Sequence, residues 1–135
     1  MTAAPSVRRA LADTAARFAA VGLAEPRADA EVLLACVLET DRTGLVVRAG
    51  EPLPPEYAER LESLVRRRLA REPVFQLIGR REFWSLELAV DRRVLCPRPE
   101  TELLVETVLA LAPDAHRLLD CGTGSGALAA ALARE

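Results

Sequence analysis

Apolar residues recur every three or four positions through the first half of the chain. Val7, Leu11, Thr14, Phe18 and Val21 share one face of a helix that Ser6 is placed to cap and Gly22 to end. Pro26 suits the first turn of a second helix, with Ala30, Leu33, Leu34, Val37 and Leu38 as its stripe. Asp41 can cap a short third helix through Leu45, Val46 and Val47. The run Gly50-Glu51-Pro52-Leu53-Pro54-Pro55 reads as a loop. From 56 to 71 a fourth helix turns Tyr57, Leu61, Leu64, Val65 and Leu69 inward. Residues 1–71 thus predict a bundle of four or five short helices.

The period changes after Glu72-Pro73. Residues 74–78 are a short β-prone run, and Gly79-Arg80-Arg81 reads as a turn. Glu82-Phe83-Trp84 and residues 86–90 predict a hairpin, with Leu86, Leu88 and Val90 alternating onto one face. Trp84 reads as a buried anchor, with a substrate-facing wall as the sharper alternative. In Cys96-Pro97-Arg98-Pro99-Glu100-Thr101-Glu102 the prolines fix an extended approach. Pro99 then opens a helix, with Glu100 and Glu102 near its positive end and Leu103, Leu104, Thr107, Val108 and Leu111 on its buried side. Pro113-Asp114 breaks it. His116, beside Arg117, reads as exposed or locally bonded and is given no catalytic role.

Leu118-Leu119-Asp120-Cys121-Gly122-Thr123-Gly124-Ser125-Gly126 has the order strand, glycine turn, helix, the helix being Ala127 to Ala133. Glycine is required where the turn takes positive φ and where a ligand approaches the backbone. The following helix offers free N–H groups and a positive dipole end. This is the opening unit of a nucleotide-binding α/β sheet. Gly122, Gly124 and Ala127 also satisfy the dinucleotide pattern, so glycines alone leave the cofactor open. Asp120 favours a cofactor with a cationic amino-acid tail, S-adenosylmethionine, over one with a pyrophosphate that a carboxylate would repel. The plainer reading of Asp120 is a cap on the turn or helix.

Composition narrows the setting. The 135 residues are half apolar, enough for one ordinary domain or two small ones. A net charge of −2 argues against general or direct nucleic-acid binding. All basic residues are arginine, a coding bias without bearing on activity. Arg66-Arg67-Arg68 and Arg71 lie at the end of the fourth helix. They read first as a solvated face complementing its dipole, and alternatively as a contact to an acidic or RNA-bearing partner. No apolar run approaches the roughly 20 residues of a membrane span, and Asp13 and Arg17 interrupt any signal-peptide pattern. Cys36, Cys96 and Cys121 are scattered and set among apolar residues. They read as free buried thiols in a reducing cytoplasm, not a disulfide or metal set.

The hairpin ending in Phe83-Trp84, the Pro97-Arg98-Pro99-Glu100-Thr101-Glu102 segment and the later glycine loop together resemble the release factor glutamine methyltransferases. The proline-containing segment at this distance upstream is the most specific part. The resemblance implies a helical substrate-docking domain over 1–71, a β-hairpin linker over 72–93, and the start of a Rossmann-like methyltransferase domain over 94–135. It implies methyl transfer from S-adenosylmethionine to the glutamine amide of the Gly-Gly-Gln motif in peptide-chain release factors. By match, Asp120, Cys121, Gly122, Thr123 and Gly124 fall on the cofactor loop, with Cys121 where an aliphatic residue is commoner. Arg98, Glu100 and Thr101 match the segment expected beside the cofactor's methionine end. The family's ribose-binding acid and its Asn-Pro-Pro-Tyr motif are not in this sequence. The chain therefore reads as an N-terminal half, a fragment or an unusually short chain, with no catalytic residue of its own. Competing readings are a relative acting on a ribosomal-protein glutamine or a DNA adenine, a non-catalytic partner-binding module, and, more distantly, a dinucleotide oxidoreductase.

Overall fold

A computed structural model describes residues 4–135 and divides them into two compact units, one ending at Ile78 and one spanning Gly79–Glu135.

The first unit holds five helices: α1 (Val7–Ala20), α2 (Pro26–Val37), α3 (Arg42–Val47), α4 (Pro55–Leu69) and α5 (Val74–Ile78). The sequence signals that start and stop them act as expected. Ser6 Oγ accepts the Arg9 N–H at 3.3 Å, and Asp41 Oδ1 accepts that of Gly44 at 2.7 Å. Gly22 ends α1 at φ 69°. Phe18, Leu33, Leu34, Val37, Leu53 and Val65 are almost wholly buried and form the centre of the core. Val21 is 40% exposed and does not join them, because α1 has already ended at Ala20. The loop after α3 returns to the start of α1, where Val7 N–H donates to Glu51 O at 2.9 Å and Leu53 N–H to Pro5 O at 2.8 Å.

Residues 74–78 are helix, not strand. The Pro73 carbonyl accepts from Gln76 and Leu77, and Gly79 closes the turn at φ 75°. Val74 is buried in the bundle core, so packing overrides the β propensity of the run. The arginines at the end of α4 are mostly tied within the fold. Arg68 Nε donates to Asp29 Oδ2 at 2.8 Å, with both side chains largely buried. Arg67 pairs with Glu72, and the Arg71 guanidinium donates to Val21 O at 2.6 Å.

The second unit holds β1 (Arg80–Phe83), β2 (Leu86–Ala89), a 3₁₀ turn at Pro99–Thr101, α6 (Glu102–Leu111) and α7 (Ala127–Arg134). The strands pair antiparallel from Arg80↔Ala89 to Phe83↔Leu86. Arg80 and Arg81 thus belong to the strand and not to the turn before it. The turn is Trp84-Ser85, with φ of 52° and 55°, the left-handed pair of a type I′ turn built without glycine. Neighbouring side chains hold it. Glu102 Oε1 accepts the Trp84 N–H at 2.8 Å, and Arg134 Nη1 donates to Ser85 O at 3.2 Å.

Phe83, Val105, Ala127 and Ala131 form the small core of this unit. Phe83 is the buried anchor; Trp84 is only half-buried and its indole N–H donates to Glu135 at 2.8 Å. The buried side of α6 also differs from expectation. Val105 is fully buried, whereas Leu103, Leu104 and Leu111 are 64%, 52% and 80% exposed. The helix is apolar nearly all round, so periodicity could not choose its face. Among the described residues the only sheet is the two-stranded hairpin. Residues 118–120, expected as a strand, are irregular and Leu119 is 87% exposed, since no neighbouring strand pairs with them among the described residues. The structure is thus mostly helical with a β-hairpin.

Candidate functional site

The glycine loop keeps the local geometry its sequence calls for. Gly122, Gly124 and Gly126 take φ of 78°, 57° and 79°. Each lies where a β-carbon is strained by the backbone alone. A β-carbon at Gly122 or Gly126 would meet nothing within 4 Å, so the loop's outer face is open to an approaching group. Gly126 N–H donates to Thr123 O at 2.9 Å, and Gly126 O accepts the Ala130 N–H at 2.8 Å. These bonds lead the loop directly into α7, whose first turn carries no acid. Anionic or electron-rich atoms therefore meet unopposed N–H groups there.

Asp120 is half-buried, and its Oδ2 is a buried oxygen with no hydrogen-bond partner among the described residues. A buried polar atom left so costs about 1–3 kcal/mol, which marks a position that wants a donor. Asp120 does not act as a helix cap, because Gly126 occupies that position of α7 and no side chain caps it. The carboxylate borders a hollow of about 470 Å³ between α6 and α7, whose lining includes Leu104, Val108, Leu118, Leu128 and Leu132.

Gly124 and Ser125 face elsewhere. They line a second hollow with Gly79, Val90, Asp91 and Arg93, at the end of the hairpin. There Arg93 donates its backbone N–H and guanidinium to Asp91 at 2.6–3.1 Å. These hydrogen bonds pull the Asp91 carboxyl down to about 2.

Arg98 and Glu100 are exposed and Thr101 is half-buried, and none of the three lines either hollow. Arg98 precedes the 3₁₀ turn, its carbonyl accepting from Thr101 N–H at 3.0 Å. Glu102 is the residue whose task the sequence did not disclose. Its place at a helix start was legible, but its bond to the hairpin turn required the tertiary structure. Cys121 is exposed, and Cys36 and Cys96 are half-buried, so the thiols are free as expected but not fully buried. Cys121 lies on the open loop where no element covers it. His116 is exposed at the rim of the first hollow. No helix among the described residues is long and apolar enough to cross a membrane.

Five short helices around one apolar core, followed by a β-hairpin, define a small, mostly helical domain with a hairpin extension. The chain belongs to the PrmC N-terminal domain family, which matches residues 9–79. It is 47% identical over 110 residues to the release factor glutamine methyltransferase of Neisseria gonorrhoeae, covering 82% of this chain and 40% of that protein. The enzyme of the same name from Escherichia coli is 48% identical over 111 residues, covering 82% and 40%. That from Cereibacter sphaeroides is 43% identical over all 135 residues, covering 46% of its length. The chain thus spans less than half the length of these relatives and corresponds to their N-terminal part.

Proposed function

We propose that this chain is the docking and cofactor-loop portion of a cytoplasmic S-adenosylmethionine-dependent methyltransferase. Its target is the glutamine side-chain amide of the Gly-Gly-Gln motif in peptide-chain release factors. The observation that carries the proposal is the identity to enzymes of that name, which in one relative runs the length of the chain and so includes the glycine loop. Residues 1–71 would dock the protein substrate, 72–93 would link, and 94–135 would open the methyltransferase domain.

The loop's residues suit this cofactor. Asp120 offers an unpartnered carboxylate oxygen to a cationic amino group, and Gly122 and Gly124 leave open space at the backbone. Cys121 and Thr123 complete the loop, with Thr101 as a further cofactor contact and Arg98 and Glu100 in its neighbourhood. S-adenosylmethionine supplies an electrophilic methyl group on a sulfonium. An amide nitrogen is a poor nucleophile because its lone pair is delocalised into the carbonyl. Most of the catalysis must therefore come from gripping and orienting the amide NH₂. No Asn-Pro-Pro-Tyr segment that could do so occurs in this sequence. Residues 1–135 are accordingly expected to dock substrate and to contribute the glycine loop, without transferring methyl groups alone.

The test uses radiolabelled S-adenosylmethionine, a bacterial release factor, and either residues 1–135 or a full-length protein carrying them. The full-length protein should add one methyl group to the Gly-Gly-Gln glutamine, located by tandem mass spectrometry, and the 135-residue chain none. Transfer to a ribosomal protein or to DNA instead of the release factor would overturn the substrate assignment. Transfer by residues 1–135 alone would overturn the division of labour.

A further inference from the structure

The start of α1 breaks a local rule. Its first turn carries Arg8 and Arg9 and no acid, although a helix N-terminus disfavours positive charge. Arg9 is compensated by Asp13, with Nε to Oδ2 at 2.9 Å. Arg8 is exposed; its backbone N–H donates to Ala49 O at 3.0 Å, but its guanidinium has no hydrogen-bond or ion-pair partner among the described residues. Departures of this kind without a local gain mark functional positions.

Arg8 stands at a hollow of about 280 Å³ formed by α1, α2 and α3. Leu11 and Leu45 give it an apolar floor, and Arg27, Arg42 and Val46 also line it. Its one acid is Glu31, which is shared, accepting Arg27 Nε at 2.7 Å and Arg42 Nε at 3.0 Å. Three guanidiniums thus face one carboxylate, in a chain whose net charge is −2. Val46 and Val47 beside it are 73% and 77% exposed, and apart from Val21 they are the exposed large apolar residues among the described residues of this unit.

The hollow lies just below the usual range of about 300–1,000 Å³ for small-molecule sites, and suits one inserted side chain better than a cofactor. Single-stranded nucleic acid would want aromatic platforms, and the lining has none. We propose that this hollow docks an acidic segment of the protein substrate. An aliphatic or aromatic side chain of that segment seats on Leu11, Leu45 and Val46, and its flanking carboxylates take Arg8 and Arg42. The inference rests on the helical unit being the substrate-docking part of the enzyme.

Binding of a bacterial release factor to residues 1–135 is measured by calorimetry at low and high salt, with Arg60→Glu on α4 as control. Arg8→Glu should weaken binding about tenfold at low salt, with most of the difference lost at high salt. Its melting midpoint should hold or rise, because an acid suits the first turn of α1. Val46→Ser should weaken binding about tenfold at either salt, through lost apolar contact. Wild-type binding that both variants retain would overturn this site while leaving substrate docking intact. No binding by the wild-type chain would overturn the docking reading and this site with it. Release factor displaced from the wild-type chain but not from Arg8→Glu by polyuridylate would replace the acidic segment with RNA.

Discussion

Asp120→Ala is expected to act with opposite signs in two settings. In the 135-residue chain, Asp120 Oδ2 is buried and unpartnered. Such an atom costs about 1–3 kcal/mol, and alanine removes it while giving up almost no apolar contact. The second unit should then hold its stability or gain about 1 kcal/mol, worth roughly 4–8 °C in a small domain. Trp84 is the chain's only tryptophan and lies in that unit against Glu135, so its fluorescence reports the melt. In a full-length protein carrying the chain, the same substitution should weaken S-adenosylmethionine about ten- to a hundred-fold. That is the loss of one charge-assisted hydrogen bond of about 1.5–3 kcal/mol. Adenosine, which lacks the cationic tail, should lose far less, and calorimetry with both ligands makes the comparison. A lower melting midpoint in the isolated chain would show that the carboxylate is structural. Equal losses for the two ligands would refute its assignment to the methionine end.

Three further outcomes are expected. Gly124→Val should abolish S-adenosylmethionine binding in the full-length protein while the helical unit keeps its melting profile by circular dichroism. Its cause is φ 57°, since the nearest atom to a β-carbon there is Gly122 O at 4.0 Å. Asp29→Ala should destabilise the first unit by about 3 kcal/mol in urea melts, because it strands the largely buried Arg68 guanidinium. A loss under 1 kcal/mol would mean that Glu72 O, which Arg68 also contacts, is partner enough. The Asp91 carboxyl, held down by Arg93, should titrate near 2 by NMR and move up toward the ordinary aspartate range in Arg93→Gln, the backbone N–H of residue 93 still holding part of the shift. The sign follows from the lowered value: whatever stability the pair adds is full above the unfolded aspartate pKa of about 3.9 and is lost as pH falls through about 2.

The sequence was most legible where one residue does one local job. Ser6, Asp41 and Gly22 announce helix ends because capping needs only their own side chain or backbone freedom. The stripes of α1 and α2 were legible because each helix has one polar side. Where apolar residues surround an element, the pattern lost its power to decide. α6 could have turned either face inward, and the hairpin and α7 selected Val105. Residues 74–78 carry a β-prone pattern yet form helix, because β-branched and aromatic side chains fit a strand as well as a buried helical turn. In the sequence the arginines of α4 suggest a solvated face or a contact surface. Instead Arg68 and Arg71 reach Asp29 and the Val21 carbonyl, contacts separated by 39 and 50 residues. In the glycine loop the φ values were legible from glycine alone. The strand leading into it was not, since a strand exists only where another pairs with it.

The turn between β1 and β2 has a consequence for the order of assembly. Trp84 and Ser85 both sit at left-handed φ, which non-glycine residues resist, so the hairpin is not nucleated by its own turn. The groups that steady it are Glu102 and Arg134, and Arg134 follows Ser85 by 49 residues. A ribosome adding about 5–20 residues per second needs several seconds to cover that distance. The nascent chain is therefore expected to carry residues 80–89 unpaired until these partners have been made. Closure of the hairpin waits on the arrival of α7 and reports that the glycine loop between has been laid down. Asn-Gly in place of Trp84-Ser85 would uncouple the two events, with the hairpin amides protected from exchange in nascent chains that end before Arg134.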